Sequence, residues 1–227
     1  MPQPPELHVV ADPAEPVARL LAEQAARGGS IVLTGGASVG EAYERAAQLE
    51  PDWSSVTLWW GDERCVPPDD ELSNYRLARE TLLERLAVAP SAVQRIRGEL
   101  DPAAAAAEYD DALAGVDLDL LLLGLGGDGH MASLFPGSPQ LEVTDRRATF
   151  GPPGLDPFVD RVTMTLPTIQ AARRIVFLVS GGGKRDAVAR AFGDDISREV
   201  PASLARLAPV RVEVFLDAAA AAGLATA

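Results

Sequence analysis

The chain has 227 residues, 47% of them hydrophobic, a formal net charge of −13 at pH 7 and a single cysteine, Cys65. This charge argues against nucleic acid and anionic membranes as partners, because both bind basic surfaces. With no apolar run of ~18 residues, no signal-peptide pattern and no second cysteine for a disulfide, we expect one cytoplasmic domain over residues 1–227, a monomer or a weak oligomer.

Apolar runs and helix-like segments alternate through the first half of the chain. Apolar spacing and glycine stops predict the helices, and short buried runs predict the strands. The predicted elements are strand 6–10, helix 13–27, strand 30–34, helix 40–49, strand 56–60, a polar loop over 61–72 and a helix over 73–86 whose cap is Ser73 or Asn74.

The second half continues the alternation. Its predicted elements are helix 102–113, strand 118–123, an irregular segment over 137–157, strand 161–166, strand 174–180, helix 184–192, strand 210–216 and helix 218–224. Continuous apolar strands between helices predict an α/β fold: an open, mainly parallel sheet with helices on both faces. Ligands of such sheets bind beyond the carboxyl ends of the strands, so we expect the loops 34–40, 61–75, 124–138 and 180–184 to converge.

The loop Gly35-Gly36-Ala37-Ser38 joins a predicted strand to a helix. Glycines there allow backbone N–H groups to face a ligand, and a helix N-terminus favours an anion. The alternative is a tight turn in which glycine only permits positive φ. Residues 36–40 also match the G-x-S-x-G pattern of serine hydrolases, but neither histidine follows late in the chain, as that fold requires.

A second glycine loop, from Gly124 to Gly129, matches G-x-G-x-x-G after a strand. A dinucleotide site is disfavoured, because Pro136 and Gly137 end any helix that follows, whereas the dinucleotide pattern needs a long one.

His130 follows this second glycine loop, two residues after Asp128. An imidazole titrates near neutrality and suits a general base, and the carboxylate of Asp128 would orient it. The alternative is a histidine that packs or caps a short helix. Neither a second histidine nor a cysteine lies nearby, so we expect no metal site.

Two cationic positions follow other predicted strands. Arg64, in the run Asp62-Glu63-Arg64, has the planar fork that pairs with phosphate, although a salt-bridged surface loop is the alternative. Lys184 follows three glycines at a helix start. It is not in a Walker A loop, because Arg185 stands where that loop needs Ser or Thr, but it suits phosphate binding.

Taken together, the motifs resemble the 6-phosphogluconolactonase family. The matching strings are LTGGAS at 33–38, WGDERCVPPDDELSNYR at 60–76, LGLGGDGHMASLFPGSP at 123–139, RVTMTLP at 161–167, the late glycine loop with its lysine, VPASL at 200–204 and FLDAAAA at 215–221. The resemblance spans nearly the whole chain and includes the glucosamine-6-phosphate deaminases that share the fold.

This resemblance implies a Rossmann-like sheet, no cofactor or metal, and a phosphosugar lactone as the small-molecule substrate. The implied activity is hydrolysis of 6-phospho-D-glucono-1,5-lactone, in the oxidative pentose phosphate pathway. His130 is then the base, assisted by Asp128. The expected phosphate and substrate contacts are Gly35, Gly36, Ala37, Ser38, Arg64 and Lys184, and residues that either bind substrate hydroxyls or scaffold the loops are Asp62, Asn74 and Arg161.

Some positions depart from the family pattern. Ala37 and Val39 replace a hydroxyl residue and a proline, so a phosphate contact at residue 37 has to come from its backbone N–H, and Met131 replaces a threonine. Three alternatives stay open: a glucosamine-6-phosphate deaminase, a non-catalytic sensor of sugar phosphates, and a serine esterase using Ser38.

Overall fold

The computed structural model describes residues 3–36, 38–152, 154 and 157–224. Within these residues the strands are β1 (Glu6–Val9), β2 (Gly29–Leu33), β3 (Val56–Trp60), β4 (Asp62–Arg64), β5 (Ala92–Val93), β6 (Leu120–Leu123), β7 (Ala148–Gly151), β8 (Arg161–Met164), β9 (Ile175–Val179) and β10 (Val212–Leu216). The α-helices are α1 (Ala14–Arg27), α2 (Val39–Leu49), α3 (Asn74–Thr81), α4 (Pro102–Leu113), α5 (Leu166–Gln170), α6 (Arg185–Phe192) and α7 (Ala218–Ala221).

A seven-stranded parallel sheet forms the centre of the fold, in the order β1-β10-β9-β6-β2-β3-β5. Every residue of β6 (LLLL) and of β9 (IVFLV) is buried, as expected of strands covered on both sides. In the first half of the chain each new strand is added toward the β5 edge of the sheet, and in the second half toward the β1 edge. Because parallel crossovers are right-handed, α1 and α2 lie on one face and α4 and α6 on the other. The predicted fold class is therefore confirmed.

A second, three-stranded antiparallel sheet was not predicted. Its order is β4-β8-β7, so the predicted loop over 61–72 and the predicted irregular segment over 137–157 were wrong where they contain β4 and β7. The reason is that β4 consists of three charged residues, Asp62–Arg64, and carries no apolar signal. The strand forms because its backbone pairs with β8, about 100 residues further along the chain.

Most predicted boundaries are confirmed to within two residues, but the helix predicted over 73–86 ends at Thr81. Leu82 leaves the helical conformation, at φ −124° and ψ −67°, and its side chain is fully buried. A 3₁₀ turn over Leu83–Arg85 follows. The last helix is also shorter than predicted, ending at Ala221. None of the described helices combines the length and the apolar character needed to cross a membrane.

Candidate active site

A cavity of about 470 Å³ opens at the carboxyl ends of the parallel strands. It is lined by the loops that follow β2, β3, β6 and β9, so the predicted convergence of these loops is confirmed. The predicted site residues on its wall are Gly35, Gly36, Ser38, Asp62, Arg64, Asn74, His130, Arg161 and Lys184. Asp128 lies behind His130 and contacts it. Ala37 lies outside the described residues.

The imidazole of His130 is held by the carboxylate of Asp128. Nδ1 of His130 lies 2.6 Å from Oδ1 of Asp128, which also accepts the backbone N–H of His130 at 3.1 Å. Burial raises the pKa of Asp128, but the hydrogen bonds and positive field of His130 outweigh it and leave the pKa below its ordinary value. An ionised Asp128 accepts a hydrogen bond from the Nδ1–H group of His130, which leaves Nε2 as the nitrogen available to a ligand.

The tight glycine loop after β6 makes room for this pair. A Cβ at position 126 would overlap the ring of His130 and the carboxylate of Asp128, so only glycine fits there. The N–H of Gly126 donates to the backbone oxygen of His130 at 2.9 Å. From outside, Arg190 donates to the backbone oxygen of Asp128, and the N–H of Ala202 donates to Gly129 at 2.9 Å. These contacts hold the loop that carries His130 in place.

The buried carboxylate of Asp62 connects three separate segments. Its Oδ2 accepts a hydrogen bond from Oγ of Ser133 at 2.6 Å, in the loop that also carries His130. Its Oδ1 and its backbone oxygen face Nδ2 of Asn74, at 3.3 and 2.9 Å. Asp62 therefore fixes the loop that carries His130 and the start of α3 relative to each other.

Glu63 holds the start of helix α3. Its carboxylate accepts four hydrogen bonds, from the backbone N–H groups of Arg64, Asn74 and Tyr75 and from Oγ of Ser73. Burial raises the pKa of Glu63, and the three backbone donors oppose that shift. Ser73 also caps the helix by accepting the N–H of Arg76, which confirms the predicted cap.

Three cationic side chains line the cavity without a carboxylate within 4 Å among the described residues: Arg64, Arg161 and Lys184. Arg64 donates to the backbone oxygen of Leu72, and Arg161 donates to backbone oxygens over residues 157–159. Burial and the charge of Arg64 lower the pKa of Arg161. In a chain with a net charge of −13, this is a local positive field suited to an anion.

The glycine turn after β2 forms another wall of the cavity. Gly36 has φ +114°, and Ser38 is the N-cap of α2 with a hydroxyl that makes no capping hydrogen bond. The buried hydroxyl of Tyr43 fixes the start of the turn, because it accepts the N–H of Thr34 at 2.9 Å and donates to its carbonyl at 2.7 Å. The hydroxyl of Tyr109 fastens Trp60, at the end of β3, in the same way.

Sequence reasoning missed several residues that build this site. Ser133 and Arg190 support the loop that carries His130, and Ser180 lines the cavity. Asp217 accepts the N–H of Gly181 at 2.8 Å and caps α7, which ties the loop carrying Lys184 to the end of β10. The strings ASLFPGSP and FLDAAAA contain Ser133 and Asp217, but only the fold shows their partners.

The geometry bears on the other interpretations. No long helix follows the second glycine loop, so the dinucleotide pattern lacks its second half. Among the described residues, Ser38 makes no hydrogen bond to His130, which a serine nucleophile would use for activation. The described part of the chain also contains no cluster of three or more His, Cys, Asp or Glu side chains that could hold a metal ion.

Comparisons with known proteins agree with this architecture. Residues 7–214 match the model of a family described as glucosamine-6-phosphate isomerases/6-phosphogluconolactonase. A 6-phosphogluconolactonase from Mycobacterium tuberculosis is 40% identical over 198 residues, covering 79% of each chain. A solved 6-phosphogluconolactonase from Trypanosoma brucei has a TM-score of 0.84 at 29% identity, covering 97% of this chain and 99% of that one. A solved monomeric glucosamine-6-phosphate deaminase, at 22% identity and TM-score 0.85, covers 96% of this chain and 99% of its own, and shows the shared fold alone.

Proposed function

The chain belongs to the glucosamine-6-phosphate isomerase/6-phosphogluconolactonase family, and we propose on this premise that it hydrolyses 6-phospho-D-glucono-1,5-lactone to 6-phospho-D-gluconate. One observation carries the proposal. The Asp128–His130 pair shares a cavity with cations that have no carboxylate partner among the described residues. A base beside an anion site suits a substrate that joins a hydrolysable lactone to a phosphate.

The phosphate is the remote anchor of the substrate. We assign it to the positive part of the cavity, against Arg64 and Lys184 and the N–H groups of the turn at Gly36 and Ser38. The N–H of Ala37 belongs to the same assignment, although it lies outside the described residues. Because the phosphate does not react, its binding energy orients the lactone carbonyl toward the base.

The chemical step uses His130 twice. Nε2 removes a proton from water as the water oxygen attacks the lactone carbonyl carbon, and a tetrahedral oxyanion forms. A nearby cation, for which Arg161 is the buried candidate, stabilises that oxyanion. The carbon–oxygen bond to the ring oxygen then breaks, and the imidazolium returns the proton to that oxygen. Asp128 keeps the imidazole oriented and stabilises its charged form.

The proposed mechanism requires neither a metal nor a covalent intermediate, because an activated lactone carbonyl reacts directly with a base-assisted water. Activity should therefore survive exhaustive treatment with a chelator. Loss of activity on chelation, with recovery on adding a metal ion, would contradict this part of the proposal.

The decisive variant is His130→Asn, assayed by lactone consumption above the spontaneous background. General-base catalysis contributes roughly 10²–10⁴ in rate, so kcat should fall by that factor with little change in KM. The other histidine provides a matched control. His8 stacks on Phe215 in the β1–β10 pair and does not line the cavity, so His8→Asn should keep kcat. A loss of less than tenfold in His130→Asn would refute the assignment.

Three other measurements separate the alternatives. Release of ammonia from glucosamine 6-phosphate would identify a deaminase. Binding of 6-phosphogluconate without any lactone turnover would identify a sensor. Covalent labelling of Ser38 by a fluorophosphonate would identify a serine esterase.

A further inference from the structure

The carboxamide of Asn74 has one fixed orientation. The residue lines the cavity but is only 2% exposed, and its Nδ2 donates to the backbone oxygen and to the carboxylate of Asp62, at 2.9 and 3.3 Å. Both of these partners accept hydrogen bonds and cannot donate them. The amide nitrogen must therefore face Asp62, and the amide oxygen must face the opposite way.

That amide oxygen, Oδ1, is buried and has no hydrogen-bond partner among the described residues. It lies against Gly35, where a Cβ would overlap it, and both residues line the cavity. Two neighbouring polar groups are already paired. The carboxylate of Asp62 accepts a hydrogen bond from Ser133, and the backbone N–H of Asn74 donates to Glu63. Native proteins rarely leave a buried carbonyl oxygen unpaired, so this atom indicates a missing donor.

We propose that Oδ1 of Asn74 accepts a hydrogen bond from one ring hydroxyl of the bound lactone and thereby determines specificity for that hydroxyl. This inference rests on the proposed function. An amide oxygen attracts a hydroxyl donor and repels the oxygens of a phosphate. We therefore assign this oxygen to a ring hydroxyl and not to the phosphate.

The amide is prepared for this role before substrate binds. Asp62 holds its nitrogen, Glu63 holds its backbone N–H, and Gly35 leaves space for its oxygen. The amide itself does not have to turn when substrate binds, because its orientation is already fixed. An analogue without the hydroxyl leaves Oδ1 buried and unpaired, which corresponds to a roughly 10- to 100-fold loss in kcat/KM.

The test is a cycle of substrates and variants. The wild type and Asn74→Ala are assayed with the parent lactone and with its 2-deoxy, 3-deoxy and 4-deoxy analogues, each prepared by oxidation of the corresponding glucose 6-phosphate. In the wild type, one analogue should lose about 10- to 100-fold in kcat/KM. In Asn74→Ala, that analogue and the parent should be hydrolysed with similar kcat/KM, while the ratios for the other two analogues stay unchanged.

The outcomes are distinguishable. If the wild type does not hydrolyse the parent lactone, the proposed function fails and the inference fails with it. If the parent is hydrolysed but Asn74→Ala lowers activity equally on all four lactones, Asn74 is only structural and the inference alone is wrong.

Thermal unfolding checks that Asn74→Ala is folded. If it is not folded, Asn74→Ser, which keeps a small polar side chain, takes its place in the assays. The wild type provides a test that needs no variant. Wild-type kcat/KM values within threefold of the parent for all three deoxy analogues would also overturn the inference.

Discussion

Removing one buried hydroxyl, in Tyr43→Phe, tests how the end of β2 supports the cavity. The hydroxyl of Tyr43 is fully buried and pairs with both the N–H and the carbonyl of Thr34, at 2.9 and 2.7 Å. Phenylalanine leaves both backbone groups buried and unpaired, at about 1–3 kcal/mol each. We expect the free energy of unfolding to fall by about 2–6 kcal/mol, which lowers Tm by roughly 4–24 °C for a chain of this length.

The same substitution should affect substrate binding more than the chemical step. Thr34 begins the glycine turn assigned to the phosphate, whereas His130 is mounted on a different loop. Loosening the turn should raise KM for the lactone by about three- to tenfold and leave kcat within twofold, because orientation of the bound phosphate depends on the turn.

Chemical denaturation and steady-state kinetics on tyrosine variants provide the assay. Tyr109→Phe should destabilise by a similar amount, because the hydroxyl of Tyr109 pairs with Trp60 at 2.9 and 2.8 Å. Tyr75→Phe is the matched control. Its hydroxyl makes no hydrogen bond among the described residues, so stability should change by less than ~0.5 kcal/mol. The reasoning is refuted if Tyr43→Phe matches the wild type, or if Tyr75→Phe is equally destabilising.

Three further predictions concern the site. Asp128→Asn should lower kcat by about 10- to 10³-fold, because the imidazole of His130 loses the carboxylate that fixes its tautomer; kinetics at saturating lactone measure this. The pKa of Asp128 is depressed in the folded state, so its contribution to stability is present above its ordinary value of 3.8 and is lost as pH falls through the lower folded value. The urea midpoints of the wild type and of Asp128→Asn should therefore approach each other as the pH is lowered. A difference that stays constant with pH would contradict the lowered pKa of Asp128. Lys184→Ala should raise KM by roughly tenfold for the phosphorylated lactone and change little for glucono-1,5-lactone, which has no phosphate; equal losses on both would argue against a phosphate contact.

The parallel sheet could be predicted from the sequence because its central strands are apolar along their length. The string LLLL of β6 and the string IVFLV of β9 admit few other placements; Gly124 follows β6 directly, and Ser180 and then Gly181 follow β9. The antiparallel sheet could not be predicted. β4 is short and charged, and only backbone pairing with a distant strand makes it regular. Local patterns carry no signal for such pairing.

Site residues could be predicted from the sequence where the side chain itself has a distinctive chemistry, such as an imidazole or a cation. His130, Arg64 and Lys184 stand after glycine or strand ends and line one cavity. The supporting residues were not predictable in the same way. Ser133 acquires its role from Asp62, 71 residues earlier in the chain, and that proximity is a property of the fold.

Among the described strands, β1 pairs only with β10, which is about 200 residues further along the chain. β1 lies at the edge of the sheet, and its described neighbour is β10, in the register Glu6↔Glu213 to Val9↔Leu216. At typical translation speeds, roughly 10–40 s separate the appearance of the two strands. During that interval the other parallel strands can pair with one another, whereas β1 has no strand to pair with. Closure of this edge thus has to follow the synthesis of β10, and a ribosome-bound chain that stops before residue 212 should leave β1 open to proteolysis.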